Sequence, residues 1–291
     1  MKKINLFCFG FGQVAKQFVK KILLENQMLE LNTSTRKEKT SEVYNGLNFT
    51  KYKFDGRNID EKIKKKIQSA SHVLISIPPT SGEEVVVKYF KDILRETKCS
   101  WITYLSATSV YGNHQGEWVD ENSETNPSNI TGINRLKAEK IWLQLAKEFN
   151  LPLQIFRLSG IYSNQYNILK RLRNEKVQLI KKKNHFFSRI HLDDIANILF
   201  QSLNKFKPYE IYNISDDKPA PQEEVIKYGS KLLNINIPKI TEINDLESEM
   251  LKNFFKDSKK VKNNKMKEFF NYKLKYPTYI EGLNYIFNNT I

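Results

Sequence analysis

Ile4-Asn5-Leu6-Phe7-Cys8-Phe9-Gly10-Phe11-Gly12-Gln13-Val14-Ala15 stands almost at the start of the 291-residue chain. The run from Ile4 to Phe9 is nearly continuous in apolar residues, as a central parallel strand covered on both faces requires. Gly10 to Ala15 follows in the form G-x-G-x-x-A. Gly10 permits a tight turn, Gly12 lets the backbone come close to a pyrophosphate, and Ala15 is small enough for a helix to pack against the strand. Phe18, Val19, Ile22 and Leu23 then recur at helical spacing. A strand, a glycine turn and a helix in that order point free backbone N–H groups at an anion. Gly10, Phe11, Gly12, Gln13 and Val14 are therefore the expected cradle of a dinucleotide.

Alternation continues outward from this turn. Strands are expected over Met28 to Thr33, Leu47 to Phe54, His72 to Ile77, Trp101 to Leu105, Leu153 to Leu158 and Tyr209 to Ile214. Helices are expected over Ile59 to Ile67, Glu83 to Leu94, Arg135 to Glu148, Ile168 to Arg173, Asp194 to Leu203 and Glu223 to Leu233. This order predicts an α/β protein with a doubly wound parallel sheet, Rossmann-like, and a small C-terminal α+β lobe. Residues 1–163 and 187–214 are expected to form the dinucleotide-binding domain, and 164–186 with 215–291 the lobe over its cleft, where substrate would be selected.

Composition narrows the function classes. The chain is 40% hydrophobic, enough for a large core, and no apolar run approaches the roughly 20 residues of a membrane helix. Lys2-Lys3 before Ile4 faintly imitates a signal peptide, but Asn5 and Gln13 interrupt the apolar stretch and the glycines suit a turn better than a cleavage site. Cys8 and Cys99, 91 positions apart in expected strands, make neither a metal spacing nor a disulfide framework, so a reduced, cytoplasmic setting is expected. The net charge of +15 comes from lysines spread over many elements, with no interleaved aromatic residues to stack bases. Nucleic acid is disfavoured as a partner, and solvated lysine faces are the simpler reading.

The end of the second strand speaks to the cofactor. An NAD site places an acidic residue there to hold the ribose hydroxyls. This chain has Thr33-Ser34-Thr35-Arg36-Lys37, with Arg36 standing 24 positions after Gly12. A guanidinium beside small hydroxyls suits a 2′-phosphate, so Thr35 and Arg36 favour NADP(H) over NAD(H).

Further marks run almost end to end. They are Phe54-Asp55-Gly56, Ile75-Ser76-Ile77-Pro78-Pro79, Val110-Tyr111-Gly112, Arg157-Leu158-Ser159-Gly160-Ile161-Tyr162, Arg189-Ile190-His191-Leu192-Asp193-Asp194-Ile195-Ala196 and Tyr212-Asn213-Ile214-Ser215-Asp216-Asp217. With the glycine turn, they make the chain resemble the extended short-chain dehydrogenase/reductase superfamily, in its NAD-dependent epimerase/dehydratase group. The resemblance is to an atypical branch that keeps the frame and loses the Tyr-x-x-x-Lys pair. It implies that Asp55 approaches the adenine, and that Ile77, Pro78, Ser159 and Ile161 line the nicotinamide end.

The departures fall on the reactive positions. The serine or threonine five residues before the glycine of the Tyr-Gly pair is replaced by Ala107, flanked by Ser106 and Thr108. The proton-transferring tyrosine falls at Thr131 and its lysine at Arg135, a register supported by Glu139. A threonine hydroxyl is a far weaker acid than an activated tyrosine. Arg135 could still hold the nicotinamide ribose, and Tyr111 could serve as an acid from the substrate side. Ser106, Thr108, Tyr111, Thr131 and Arg135 are thus the candidate catalytic residues. Around His191, the expectation is that Asp193 or Asp194 caps the following helix while His191 fixes the turn. Asp216-Asp217 reads as a helix entry.

Two function classes stay open. One is an NADP(H)-dependent oxidoreductase or epimerase-like enzyme acting on an unknown small molecule with non-standard acid–base groups. The other is a catalytically silent NADP(H)-binding sensor or regulatory protein. The expected assembly is a monomer or homodimer with no membrane attachment.

Overall fold

The computed structural model describes residues 3–79, 82–174, 177–245, 252 and 255–290. Met1 and Lys2, and residues 246–251, 253 and 254 of the lysine-rich tail, lie outside the described residues.

In chain order the first half carries β1 (Ile4–Phe9), α1 (Gln13–Leu24), β2 (Leu29–Thr35), β3 (Thr40–Tyr44), β4 (Leu47–Lys53), α2 (Glu61–Gln68), β5 (His72–Ile75), α3 (Val85–Glu96), β6 (Trp101–Ala107), β7 (Trp118–Val119) and α4 (Ile130–Phe149). Then come β8 (Leu153–Leu158), β9 (Gly160–Tyr162), α5 (Ile168–Arg173), β10 (Arg189–His191), α6 (Leu192–Asn204), β11 (Ile211–Ile214), α7 (Gln222–Leu233), β12 (Lys260–Val261), α8 (Asn264–Phe270) and α9 (Tyr279–Thr290).

Eight strands form one sheet in the order β11-β8-β6-β5-β1-β2-β4-β3. β1 pairs in parallel with β2 on one side and β5 on the other, and β5 with β6. The order reverses at β1, where the glycine turn leaves the sheet, and that is where open α/β sheets bind ligands. β3 runs against its neighbour, β4. The doubly wound sheet expected from the sequence is the one present. β3 was not expected: it is a polar edge strand without an apolar face.

The chain divides into two compact units. The first is Met1–Ser106, Asn134–Arg157 and Ile195–Tyr212; the second is Ala107–Ile133, Leu158–Asp194 and Asn213–Ile291. Residues 107–133, 158–163, 187–194 and 213–214, expected in the cofactor domain, fall in the second unit.

In the first unit, β1 explains its own sequence. Leu6, Phe7, Cys8 and Phe9 are fully covered, and Phe9 packs against Phe7, Phe54 and Phe90 at ring separations of 5.0, 6.2 and 5.3 Å. Each such buried side chain contributes roughly 1.5–3 kcal/mol of burial. Cys99 is buried in the turn before β6, not in a strand, and burial pushes its thiol up to about 12. Neither cysteine offers an accessible thiolate.

In the second unit, β9 pairs with β10 and β12 with β7. A separate apolar cluster joins Tyr162, Leu169, Ala220, Val225, Tyr279, Leu283 and Ile286. Asp194 corrects the expectation made for it. Instead of capping α6, its buried carboxylate accepts hydrogen bonds from the Tyr272 hydroxyl at 2.7 Å and from the N–H groups of Lys275 and Tyr276 at 2.7 and 3.1 Å. His191 holds the helix entry, with its Nδ1 accepting from the Asp193 N–H at 3.1 Å.

Candidate functional site

The glycine turn is braced from below. The Gly10 N–H donates to Ser34 Oγ at 2.9 Å, and the Ser76 hydroxyl donates to the Phe9 and Gly10 carbonyls at 2.9 and 3.2 Å. Gly10 has φ +83°, and a Cβ there would come within 2.7 Å of the Ile77 side chain. Gly12 differs: a Cβ built on it would meet nothing within 4 Å. It is the N-cap of α1, with extended backbone and no side chain capping the helix. The first N–H groups of α1 are thus left without a side-chain acceptor, and the space in front of Gly12 is open.

That space is a cavity of about 850 Å³ within the first unit, bordered by Gly10, Phe11, Gly12, Ser34, Thr35, Arg36, Asp55, Arg57, Ile77 and Pro78 among others. Its volume lies in the range of small-molecule and cofactor sites. Two exposed guanidiniums, Arg36 and Arg57, border it, and among the described residues neither has a carboxylate partner. Arg57 was missed by sequence reasoning, because it follows a weak strand in a loop with no periodicity. Asp55 borders the cavity too, but its carboxylate is turned into its own loop. It accepts from the N–H groups of Arg57 and Asn58 at 2.8 and 2.7 Å and from Asn58 Nδ2 at 2.9 Å, and these donors, the Asn58 side chain foremost, hold its pKa at about 2. Phe11 is held by Tyr44 and Phe49, at ring separations of 5.4 and 4.9 Å. Gly10, Phe11 and Gly12 of the turn, with Thr35, Arg36, Asp55, Ile77 and Pro78, are therefore brought to one cavity, while Gln13 and Val14 lie in α1 and are not on its border. The site fits a dinucleotide through its uncapped helix N-terminus, a glycine where a Cβ would fill the approach, and its two guanidiniums.

The candidate catalytic residues are placed differently. In the first unit, half-buried Arg135 of α4 donates from Nη1 to the Leu105 carbonyl at 2.6 Å and to the Tyr104 hydroxyl at 3.3 Å. Its guanidinium also stands over the Tyr104 ring. One turn on, Glu139 pairs with Arg157 at 2.7 Å, an ion pair almost wholly removed from solvent. Ser106 is buried, and among the described residues its hydroxyl has no hydrogen-bond partner. Glu84 caps α3 by accepting from the Val86 N–H at 3.2 Å, and burial raises its pKa to about 7, opposed by that bond and by the charge of Arg135.

In the second unit, Tyr111 is fully buried and its hydroxyl donates to Asn213 Oδ1 at 2.7 Å. Exposed Thr131 donates to Asn129 Oδ1 at 2.6 Å, in the first turn of α4. Thr108 and Ser159 border a second cavity, of about 250 Å³, together with Ser109, Asn129, Ser188, Asp257 and Lys259 among others. Ile161 lies on β9, paired with Ile190 of β10. Asp257 and Lys259 were not singled out in the sequence, where they sit inside a lysine-rich tail with no periodic signal. No helix of the described residues is long and apolar enough to cross a membrane.

A Rossmann-type sheet with a cavity of cofactor size at its reversal point defines the class. Residues 85–215, somewhat under half of the chain, match the sequence model of the NAD dependent epimerase/dehydratase family. Among solved structures, a functionally unknown conserved protein from Silicibacter pomeroyi is 28% identical, with a TM-score of 0.85 over 98% of both chains. UDP-glucuronic acid 4-epimerase from Bacillus cereus, in complex with NAD, is 15% identical with a TM-score of 0.77, over 99% of this chain and 96% of that one. dTDP-glucose 4,6-dehydratase from Bacillus anthracis, also in complex with NAD, is 17% identical with a TM-score of 0.76, over 98% and 96%. No curated protein matches the sequence significantly.

Proposed function

We propose that the first unit binds NADP(H), and that the chain is an NADP(H)-dependent oxidoreductase or epimerase-like enzyme without the usual tyrosine and lysine. The observation that carries this reading is the cavity in which the uncapped N-terminus of α1 and open Gly12 share a border with Arg36 and Arg57. The α1 N–H groups would hold the pyrophosphate. Arg36, with Ser34 and Thr35 beside it, would take a 2′-phosphate, and Ile77 with Pro78 would wall the ring system. Bound there, the nicotinamide would supply or accept a hydride. The two solved relatives in complex with NAD support dinucleotide occupancy of such a site.

One observation favours a second reading, binding without turnover. The hydroxyls of Tyr111 and Thr131 and the guanidinium of Arg135 are each committed to a partner within the chain. The substrate would then be absent, and the bound nucleotide itself the signal.

Titration with NADPH and NADH, followed by nicotinamide fluorescence, tests the first step. NADPH is expected to bind at least about tenfold more tightly, and Arg36→Gln to remove most of that difference, the scale of one charge-assisted contact. Equal affinities would end the NADP(H) assignment; no binding of either nucleotide would end the reading as a whole.

A further inference from the structure

The cavity of the second unit is separate in its residues from the dinucleotide cavity and carries its own chemistry. Lys259 Nζ borders it and donates to the Gly112 carbonyl at 2.9 Å; among the described residues no carboxylate lies within ion-pair distance of it. An ammonium has three donors, so two remain. Ser159 is 4% exposed, and among the described residues its hydroxyl has no hydrogen-bond partner. Ser188 Oγ accepts from the Val261 N–H, which leaves its own proton to give. The carboxylate on this border, Asp257, already accepts from Ser128 Oγ at 2.6 Å and Asn129 Nδ2 at 3.1 Å. Each Asp257 oxygen thus already holds one donor, while the donors of Lys259, Ser159 and Ser188 are still to be matched.

Charge points the same way. Two walls of the cavity are Phe186 and Phe187, and cations contact both rings: Lys260 lies 5.1 Å from the Phe186 ring centre and Arg189 5.9 Å from that of Phe187. Burial lowers the pKa of Lys259, and the charge of Asp257 opposes that shift. A mostly desolvated ammonium gains from an anionic partner more than an exposed one does. The other walls, Ala107, Leu158 and Val261, are apolar. At about 250 Å³ the space equals roughly eight waters, which suits an organic acid of about ten non-hydrogen atoms.

We propose that this cavity binds a small organic carboxylate with an apolar body, its carboxylate held by Lys259 Nζ and Ser159 Oγ. Every residue named belongs to the second unit, and Ser159 is also the residue expected at the nicotinamide end, so the test is run without nucleotide to keep its outcome apart from that of the cofactor reading.

The test uses the full chain without nucleotide, in calorimetric and saturation-transfer NMR titrations. The probes are phenylacetate and 4-methyl-2-oxopentanoate, the primary amide of each as a neutral match in shape, and inorganic phosphate. At least one acid is expected to bind with a Kd of about 1 mM or tighter, and its amide at least about tenfold more weakly. Lys259→Gln is expected to weaken the acid at least about tenfold and Ser159→Ala about fivefold. Should Lys259→Gln not fold, Ser159→Ala and the acid–amide ratio decide the matter on their own. Equal binding of acid and amide, no binding of either acid, or tighter binding of phosphate than of both acids would each overturn the proposal. An acid that binds where no nicotinamide nucleotide does would keep this inference and remove the cofactor reading.

Discussion

Arg135 and Leu105 are joined by a 2.6 Å hydrogen bond from guanidinium Nη1 to the backbone carbonyl, so this side chain fastens α4 to the end of β6. Arg135→Met removes a charged donor from a carbonyl and from Tyr104. It is expected to lower the unfolding free energy by about 2 kcal/mol, with Arg135→Lys intermediate, in denaturant titrations.

Gly12 and Gly10 should respond in opposite ways to the same added methyl group. At Gly12, with ordinary φ and open space, Gly12→Ala is expected to leave the melting temperature unchanged or slightly raised and to weaken nicotinamide nucleotide binding at least about tenfold. At Gly10, positive φ and the Ile77 side chain stand in the way, and Gly10→Ala is expected to cost about 2 kcal/mol or more of stability. Paired thermal melts and nucleotide titrations separate the two effects.

Glu84 sets a pH dependence with a definite sign. Its folded pKa, raised to about 7 chiefly by burial, lies above the unfolded carboxyl value, so the folded state binds the extra proton. That contribution to stability is fully present below the unfolded value near pH 4.5 and is lost as pH rises toward 7. Glu84→Gln is expected to gain about 3 kcal/mol over wild type at pH 8 and nothing at pH 4. Subtracting the two stability profiles isolates Glu84 from His185 and His191. Burial depresses both of those to about 4, and they act the other way, losing stability as pH falls below 6.5.

Asp194 gathers three donors from the segment 272–276. Asp194→Ala strands those donors and is expected to destabilise the protein by about 3 kcal/mol. Native-state hydrogen exchange should show the amides of Lys275 and Tyr276 losing protection first.

The sequence revealed most where burial is two-sided. β1 and β8 read correctly because a strand covered on both faces is mainly apolar, the buried exceptions in β8 being Gln154, bonded to Thr103, and Arg157, paired with Glu139; β8 has the bounds Leu153–Leu158 expected of it. The start of α4 was hidden. Thr131 and Gly132 are poor helix formers, and the helix begins there because Asn129 Oδ1 accepts the Gly132 N–H at 2.8 Å. Arg36 was legible through its offset from the glycine turn, whereas Arg57, Asp257 and Lys259 lie in irregular segments where no period marks a side chain's direction. The division into units was obscured because the chain leaves and re-enters each unit, and local patterning carries no trace of such crossings.

β3 carries a consequence for the behaviour of the molecule in a crowded solution. An open sheet ends in a row of unpaired backbone groups, which is a template for joining another copy edge to edge. Here that border is a short antiparallel strand, Thr40–Tyr44, whose first four residues are exposed and, apart from Val43, polar, with Glu42 tied to Lys51 at 2.5 Å. A strand of this kind discourages recruitment of further chains while leaving β4 paired on both sides. The hairpin that looks dispensable is thus a guard against fibrous association, and its removal would lay bare the flank of the sheet nearest the glycine turn.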